Sequence, residues 1–194
     1  MCRGVRAHIG QQHRFAHTVR VARFADSLAQ AHQQNAERAR VAGMLHDLAR
    51  LYPPRVLLLE SQARGLIITE FERRYPVVLH APLGAELARE LFSVNDEAVL
   101  SAIRKHTVAA ANMSMLDCIV YLADGLEPGR DFPERSALVE LAFRDLRSAM
   151  RLTIVSSLRY LAARSLTPAP QTLAAAEAFG VSVRDQEVIA AGTA

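Results

Sequence analysis

The sequence predicts an all-α fold, and three observations lead to that prediction. Apolar residues recur at spacings of three and four along most of the chain, which is the period of a helix with one buried face. Apolar residues make up 51% of the 194 positions, so the chain can bury a sizeable core. The 9 Gly and 8 Pro are too few for the many turns of a β-sandwich, and no convincing strand pattern is present.

Helix-ending and helix-capping residues give the bounds of the predicted elements. Pro53 ends the second helix, because proline cannot continue a helix. Ser93 or Asn95 caps the fifth helix, and Ser114 caps the sixth. The predicted helices cover residues 14–33, 36–51, 55–63, 81–92, 96–105, 114–126 and 135–164. The last of these has a break near Ser148, and one more helix follows Pro170. Residues 69–74 are predicted as a turn and residues 107–112 as a loop.

These elements predict a single folded domain. A chain of 194 residues has the length of one domain with short appendages.

The charge and the cysteines restrict the class of protein. The formal net charge is +3, and nearly all of the positive charge is arginine. No run of like charges indicates a nucleic-acid surface, while a mildly positive chain suits a small phosphate-bearing molecule. Cys2 and Cys118 form neither a disulfide framework nor a metal-binding pair. With no signal peptide and no apolar stretch of about 18 residues, we expect a cytoplasmic protein without a membrane or nucleic-acid partner.

His46 and Asp47 lie inside the second predicted helix, between Leu45 and Leu48. A carboxylate in such an apolar setting is costly to bury unless it is paired or binds a cation. A surface aspartate beside a core histidine would explain these two residues alone. The metal-binding interpretation therefore depends on other residues.

Three further histidines, His17, His80 and His106, lie on the apolar sides of other predicted helices. Asp124 follows an apolar run and adds a second inward-facing carboxylate. Imidazole and carboxylate ligands without a thiolate suit a divalent cation of hard to borderline character. We therefore expect a metal site between the helices.

The motifs around these residues resemble those of a known family. The order His17, His46-Asp47 and a distant Asp124 is the pattern of the HD superfamily. The strings HRFAHTVRVA, AGMLHDLAR, LHAPLGAELA, IRKHT and LADGLEPGRDFP resemble the YqeK family of HD-domain proteins, the symmetrical diadenosine tetraphosphate hydrolases. The resemblance extends from His13 to Phe179 and implies an HD-domain helical bundle over residues 13–179. Residues 1–12 are then an N-terminal extension, and residues 180–194 are a C-terminal tail. The resemblance also implies one or two divalent transition-metal ions, with iron first and Mn, Co or Zn as alternatives.

The resemblance assigns roles to individual positions. The core ligands are His17, His46, Asp47 and Asp124, the histidines of a second metal or substrate position are His80 and His106, and the residues near the phosphates are Arg130, Asp131 and Arg50. Asp47 would bridge two metal ions, and Arg130 and Arg50 would assist catalysis. Arg50 stands where the family usually has lysine, one predicted helical turn beyond His46, and Asp131 could orient Arg130. The loop after His106 lacks the family's usual glycine.

The function implied is hydrolysis of diadenosine tetraphosphate into two ADP by a metal-activated water. One alternative is an HD phosphohydrolase of another nucleotide, such as a dNTP or an alarmone. Another is a scaffold protein whose metal is structural, and a third is a helical domain with unrelated histidines. A nucleotide is the expected small-molecule partner, and a homodimer is an assembly that the sequence allows.

Overall fold

The structure is a computed structural model that describes residues 1–181. Within these residues it contains eleven α-helices, one 3₁₀ helix and no β-strand, which confirms the predicted all-α class. The α-helices are α1 Cys2–Ile9, α2 Gln12–Ala31, α3 Ala36–Leu45, α4 Pro54–Ala63, α5 Glu70–Arg74, α6 His80–Phe92, α7 Glu97–Lys105, α8 Met115–Leu126, α9 Arg135–Arg144, α10 Leu146–Ala162 and α11 Pro170–Ala178, and the 3₁₀ helix is Pro76–Leu79.

Helix α8 lies at the centre of the domain. It is buried on nearly every side between Leu116 and Leu126, and a helix that is apolar all round belongs in a protein interior. Helices α2, α7 and α10 pack against it, while α3 packs against α2 and α7. Each fully buried leucine, such as Leu122, contributes about 1.5–3 kcal/mol. Asp124 is carried by this central helix, so the expected ligand starts from the middle of the bundle.

Helix α3 ends at Leu45, and the prediction of a longer helix is wrong. The residues that follow form successive turns, in which the Leu48 N–H donates to the Leu45 carbonyl at 3.4 Å. The Arg50 N–H donates to the Asp47 carbonyl at 3.0 Å. These bonds close over three residues instead of four, which tightens the backbone. His46 and Asp47 therefore follow the helix, and Arg50 does not share a helical side with His46.

Two capping boxes fix the starts of α5 and α8. The Ser114 hydroxyl accepts the Asp117 N–H, and the Asp117 carboxylate accepts the Ser114 N–H, which confirms Ser114 as the cap of α8. Thr69 and Glu72 make the same pair of bonds at the start of α5. The segment predicted as a turn is therefore a short helix, because its first turn is capped by its own side chains.

Two other predicted helix boundaries are corrected by capping aspartates. Asp96, and neither Ser93 nor Asn95, caps α7 through a backbone N–H of its first turn. Ser93 takes a left-handed conformation, with a φ of 55°, and ends α6. The break in the long C-terminal helix lies at Asp145 instead of near Ser148, because Asp145 is extended and accepts the Ser148 N–H at 3.0 Å.

Helix α1 lies in the segment predicted as an N-terminal extension. It packs against α2 and α3 and buries Val5 and Ile9. The His8 imidazole Nε2 donates to the Leu48 carbonyl at 2.9 Å. This bond ties α1 to the turn that carries Asp47.

The domain bounds drawn from the sequence, at residues 13 and 179, remain a prediction. Most of the predicted C-terminal tail, residues 182–194, lies outside the described residues. In the described part of the chain, no helix combines the length and the apolarity that a membrane span requires.

Helices α2 and α3 come close together at Gly43. A Cβ atom at this position would lie 2.8 Å from the Cα of Ala22, closer than real atoms pack. His17 lies on α2, and His46 directly follows the last residue of α3. The separation of those two expected ligands therefore depends on the lack of a side chain at residue 43.

We expect Gly43→Ala to push α2 away from α3 and to lower the free energy of unfolding by about 1–3 kcal/mol, the usual cost of overpacking. Urea unfolding followed by circular dichroism measures this change. Gly125→Ala is the matched control, because this helical glycine has only Thr153 Cγ2 nearby, at 3.8 Å. The control should stabilise α8 by about 0.5–1 kcal/mol. Equal effects of the two changes would contradict the role given to Gly43.

Candidate metal centre

Six side chains from different elements converge inside the bundle. They come from α2, from the turn after α3, from the first residue of α6, from the residue after α7 and from α8. They form three overlapping groups of three, and within each group the candidate ligand atoms lie within 4.8 Å of one another. The six are all of the metal ligands expected from the sequence, His17, His46, Asp47, His80, His106 and Asp124.

Asp47 lies between two pairs of histidines. Its Oδ2 atom is 3.7 Å from His17 Nε2 and 3.6 Å from His46 Nε2. Its Oδ1 atom is 3.6 Å from His80 Nε2 and 4.0 Å from His106 Nε2. One carboxylate thus faces two imidazole pairs with different oxygens, which is an arrangement suited to a ligand that bridges two cations.

Asp124 adds its carboxylate on the side of the first histidine pair. Its Oδ1 atom lies 3.1 Å from His17 Nε2 and 3.8 Å from His46 Nε2. With Asp47 Oδ2, this gives the first pair two carboxylate oxygens, while the second pair has one. The first position therefore has the fuller set of protein ligands.

Each imidazole is held by its Nδ1 atom. A carbonyl or an ionised carboxylate can only accept, so Nδ1 carries the proton. The Nε2 atom of a neutral ring is then a lone pair directed at the cluster, as in most metal-binding histidines. The bonds run from His17 to Glu127 (3.0 Å), from His46 to the Gly43 carbonyl (2.7 Å), from His80 to the Val77 carbonyl (2.5 Å) and from His106 to the Ile103 carbonyl (2.7 Å).

The Nε2 atoms lack the partners that buried polar atoms normally have. That of His46 is buried with no hydrogen-bond partner, and that of His17, in the neutral ring, faces only an acceptor, Asp124 Oδ1 at 3.1 Å. Those of His80 and His106 lie 3.2 Å apart, so two lone pairs face each other. The Thr107 hydroxyl is 3.1 Å from both, but its one proton can satisfy only one of them. The donor set therefore fits bound cations better than a closed core.

Four of the six converging groups have pKa shifts that agree with this interpretation. His17 differs: burial lowers its pKa, but the carboxylates of Asp124 and Glu127 outweigh burial and raise this pKa above its usual value. Burial lowers the pKa of His106 to about 3, and burial also lowers the pKa of His80, so both rings are neutral near pH 7. Burial raises the pKa of Asp47, but the neighbouring histidines outweigh burial and bring this pKa below its usual value. The same balance holds the pKa of Asp124 well below its usual range. Ionised carboxylates beside neutral imidazoles are the protonation states that metal ligation requires.

A role for Glu127 is not predicted from the sequence. Its buried carboxylate accepts His17 Nδ1–H at 3.0 Å, Arg20 Nε–H at 2.5 Å and the Gly129 N–H at 2.5 Å. Burial raises the pKa of Glu127, yet these donors hold it at about 2. A carboxylate behind a ligating histidine fixes the ring and raises its basicity. The available signal is spacing, because Glu127 follows the expected ligand Asp124 by three residues.

Arg130 lies directly over one expected ligand. Its Nη2 donates to Asp124 Oδ1 at 2.7 Å, and its Nε donates to the Asp124 carbonyl at 3.0 Å. Asp131, considered as the group that orients Arg130, is exposed and makes no hydrogen bond with another described residue. In this structure Asp124 orients Arg130.

Two more arginines carry positive charge near the cluster. Arg14 Nη1 lies 3.5 Å from Asp47 Oδ2, a contact that the sequence alone does not indicate. Burial is the main cause of the low pKa of His80, and the positive charge of Arg50 adds to it. Arg50 belongs to the turn after α3 and not to a helical face shared with His46.

A cleft of about 950 Å³ opens beside the cluster. Thr107 and Arg130 line this cleft and also contact expected metal ligands. Its volume lies within the usual range for small-molecule sites. The cluster is therefore next to a space that can hold a ligand.

Residues 14–129 of the chain match the HD domain. This segment covers more than half of the chain and contains all six converging side chains. The chain belongs to the HD-domain family. HD domains bind divalent metals, and this HD domain brings together a histidine and aspartate cluster that suits them.

Relatives are similar to this chain over most of its length. The chain is 34% identical to the symmetrical bis(5′-nucleosyl)-tetraphosphatase of Halalkalibacterium halodurans, over 88% of this chain and 90% of the relative. It is 32% identical to the protein of the same name from Bacillus subtilis, over 83% and 86%. These relatives confirm the resemblance to the YqeK family.

A solved structure has the same fold. It is the crystal structure of a predicted HD superfamily hydrolase involved in NAD metabolism from Clostridium acetobutylicum. The TM-score is 0.88 at 29% identity, over 92% of this chain and 94% of that one. The agreement over both chains confirms the HD-domain helical bundle.

We predict graded losses of metal when the cluster is altered. Asp47→Ala and Asp124→Ala should each abolish tight metal binding, because each removes an oxygen ligand that faces two imidazoles. Glu127→Gln should weaken metal affinity by about 10–100-fold, the usual effect of a changed group behind a ligand. Competition with a chromogenic chelator measures the affinities.

Glu134→Gln is the matched control, since Glu134 is exposed in the same loop as Glu127. It should keep wild-type metal affinity, and circular dichroism should show an unchanged helical signal in all four variants. Full metal content in both aspartate variants would rule out the cluster as the metal site.

Proposed function

We propose that this HD domain is a metal-dependent hydrolase that splits diadenosine tetraphosphate symmetrically into two ADP. The observation that carries the proposal is Asp47, whose two oxygens face two separate histidine pairs. The substrate comes from the relatives, which are named as symmetrical tetraphosphatases over more than four fifths of this chain.

The cluster offers two metal positions that share Asp47. His17, His46 and Asp124 would hold one ion with Asp47 Oδ2, and the remaining two histidines would hold another with Oδ1. A divalent cation bound there supplies an acidic water and positive charge for the phosphate oxygens. We propose iron, because imidazole and carboxylate ligands suit it, with Mn, Co or Zn as alternatives.

The arginines beside the cluster hold the phosphates. The substrate carries about four negative charges, which spread further as the bond to phosphorus breaks. Arg130 projects from the loop after α8, and its planar guanidinium can donate to two oxygens of one phosphate. Arg14 on α2 and Arg50 in the turn after α3 supply further positive charge. Asp131 is exposed at the same loop and can receive a polar group of the substrate.

The proposed reaction also bears on the partners and the location of the protein. A nucleotide is the substrate, and we propose that the protein acts in the cytoplasm, as a homodimer and without a nucleic-acid partner. Sedimentation equilibrium of the metal-loaded protein tests the assembly. Free Cys2 and buried Cys118 are compatible with a reducing compartment.

Product identification tests the reaction. Protein purified without oxygen and loaded with iron should convert diadenosine tetraphosphate to ADP alone, because attack at an inner phosphorus divides the substrate in half. Ion-exchange chromatography separates ADP from ATP and AMP. ATP plus AMP would show attack at an outer phosphorus, and the symmetrical reaction would have to be abandoned.

Arg130→Ala should lower kcat/KM about 10²-fold or more, because a contact worth a few kcal/mol at the transition state is lost. Its metal content should be unchanged, since Arg130 is no ligand. Arg50→Lys should retain far more activity than Arg50→Ala, because lysine keeps the charge. Steady-state kinetics with metal analysis on each preparation measures these effects. Unchanged kinetics in Arg130→Ala would place the phosphates elsewhere.

A further inference from the structure

The two proposed metal positions differ in the number of oxygen ligands that face them. The second position, formed by His80 and His106, has one carboxylate oxygen, Asp47 Oδ1, at 3.6 Å and 4.0 Å from the two Nε2 atoms. The first position has carboxylate oxygens from both Asp47 and Asp124. One more side-chain oxygen lies at the second position, and it belongs to the Thr107 hydroxyl.

The Thr107 hydroxyl and the two imidazoles form a triangle with nearly equal sides. Thr107 Oγ1 lies 3.1 Å from His80 Nε2 and 3.1 Å from His106 Nε2. The two Nε2 atoms lie 3.2 Å apart. Three atoms at these separations can all bind one cation at about 2.0–2.2 Å, the bond length of zinc to nitrogen and oxygen ligands. The bonds would then meet nearly at right angles, as in octahedral coordination.

Hydrogen bonding alone does not account for this contact. His80 and His106 each donate Nδ1–H to a main-chain carbonyl, so both Nε2 atoms can only accept. The single proton of the Thr107 hydroxyl leaves one of these two lone pairs without a partner. A cation shared by the three atoms removes the conflict, because the hydroxyl then binds through an oxygen lone pair and keeps its proton. Threonine hydroxyls bind Mg²⁺ in P-loop proteins.

The loop after α7 fixes Thr107 through bonds made by other residues. The Val108 carbonyl accepts the Thr172 hydroxyl at 2.8 Å. The Lys105 ammonium group donates to the buried Asp117 carboxylate at 2.8 Å, which joins the start of the loop to α8. These bonds lie on both sides of Thr107 in the sequence, so its backbone is held independently of its own side chain. A β-branched side chain on a fixed backbone has few rotamers.

The backbone at Ala109 shows that the loop keeps its conformation against strain. Its φ is 60°, in the left-handed region that a residue with a Cβ atom disfavours. Ala109 is buried, and its N–H donates to the Lys105 carbonyl at 3.0 Å. A glycine would take this conformation without strain. Strained backbone persists where the surroundings enforce it, and it clusters at functional sites.

We propose that Thr107 is a ligand of the second metal ion, which it binds through its hydroxyl oxygen together with His80 and His106. With Asp47 Oδ1, the second position then has four protein ligands, as many as the first. The inference rests on the two metal positions of the proposed function and is independent of its substrate. Because an alcohol oxygen is a hard ligand, it favours Mn²⁺ over softer ions at this position.

Titration of the metal-free protein with Mn²⁺, followed by calorimetry, tests this assignment. The wild type should bind two ions per chain. Thr107→Val keeps the side-chain shape and removes the oxygen, so the affinity for the second ion should fall by about tenfold or more, while the affinity for the first stays constant. Thr107→Ser returns a hydroxyl and should recover most of the lost affinity.

Thr153→Val is the matched control. It makes the same exchange on α10, where the Thr153 hydroxyl has no hydrogen-bond partner. This variant should bind both ions as the wild type does. Circular dichroism should show the same helical signal in all of these proteins.

Thr107→Cys gives a spectroscopic readout that does not depend on affinity. A thiol that binds a metal loses its proton. The variant loaded with Co²⁺ should therefore show a thiolate-to-cobalt charge-transfer absorption. The wild type should lack this absorption, although it contains Cys2 and Cys118.

Wild-type affinity for both ions in Thr107→Val would overturn the assignment, even if turnover fell, because the hydroxyl would then act on another group. Binding of a single ion by the wild type would overturn it as well, and so would a Thr107→Cys variant without the charge-transfer absorption. Failure of the proposed reaction gives a different result. In that case diadenosine tetraphosphate is not cleaved, while the second ion still depends on Thr107, and the assignment stands.

Discussion

The buried carboxylate of Asp47, enclosed by four imidazole lone pairs, is the constraint on which the rest of the structure depends. An ionised group at 7% exposure is costly unless positive charge compensates it. Burial lowers the pKa of two of the nearest rings, so these two are neutral near pH 7. Bound cations would satisfy the carboxylate and the rings together. The helices that carry these groups must therefore bring them within reach of the same cations. The close contact of α2 and α3 at Gly43 sets the distance between two of them, His17 and His46.

The six expected ligands could be picked out from the sequence because their chemistry is local, and the structure brings them together. A charged or imidazole side chain on an apolar helical side, such as Asp124 or His17, is unusual whatever surrounds it. The end of α3 was not predictable in the same way. Apolar residues at Leu48 and Ala49 continue the helical spacing. The turns that replace the helix are bonded to α1 through His8 and the Leu48 carbonyl, a contact between distant residues that periodicity does not record.

The other residues of the site that the sequence did not reveal take their roles from contacts with distant segments of the chain. Glu127 acquires its role from Arg20 and His17, more than a hundred residues earlier in the chain. Arg14 has the same kind of relation to Asp47. Position in a motif indicated that the EPGRDF loop matters, but it could not show that the glutamate supports a ligand while Arg130 covers another one.

The four histidines differ in the kind of group that accepts the hydrogen bond from their Nδ1 atom, and so in whether a mutation can remove that group. His46, His80 and His106 each donate to the carbonyl three residues earlier, at positions 43, 77 and 103. A main-chain oxygen is present whatever side chain the codon specifies, so a substitution at position 77 or 103 leaves the acceptor itself in place. Of the four Nδ1 atoms, that of His17 donates to a side chain, the Glu127 carboxylate. Among these four acceptors, the one at residue 127 is therefore the one that a base change can remove outright while the histidine stays unaltered.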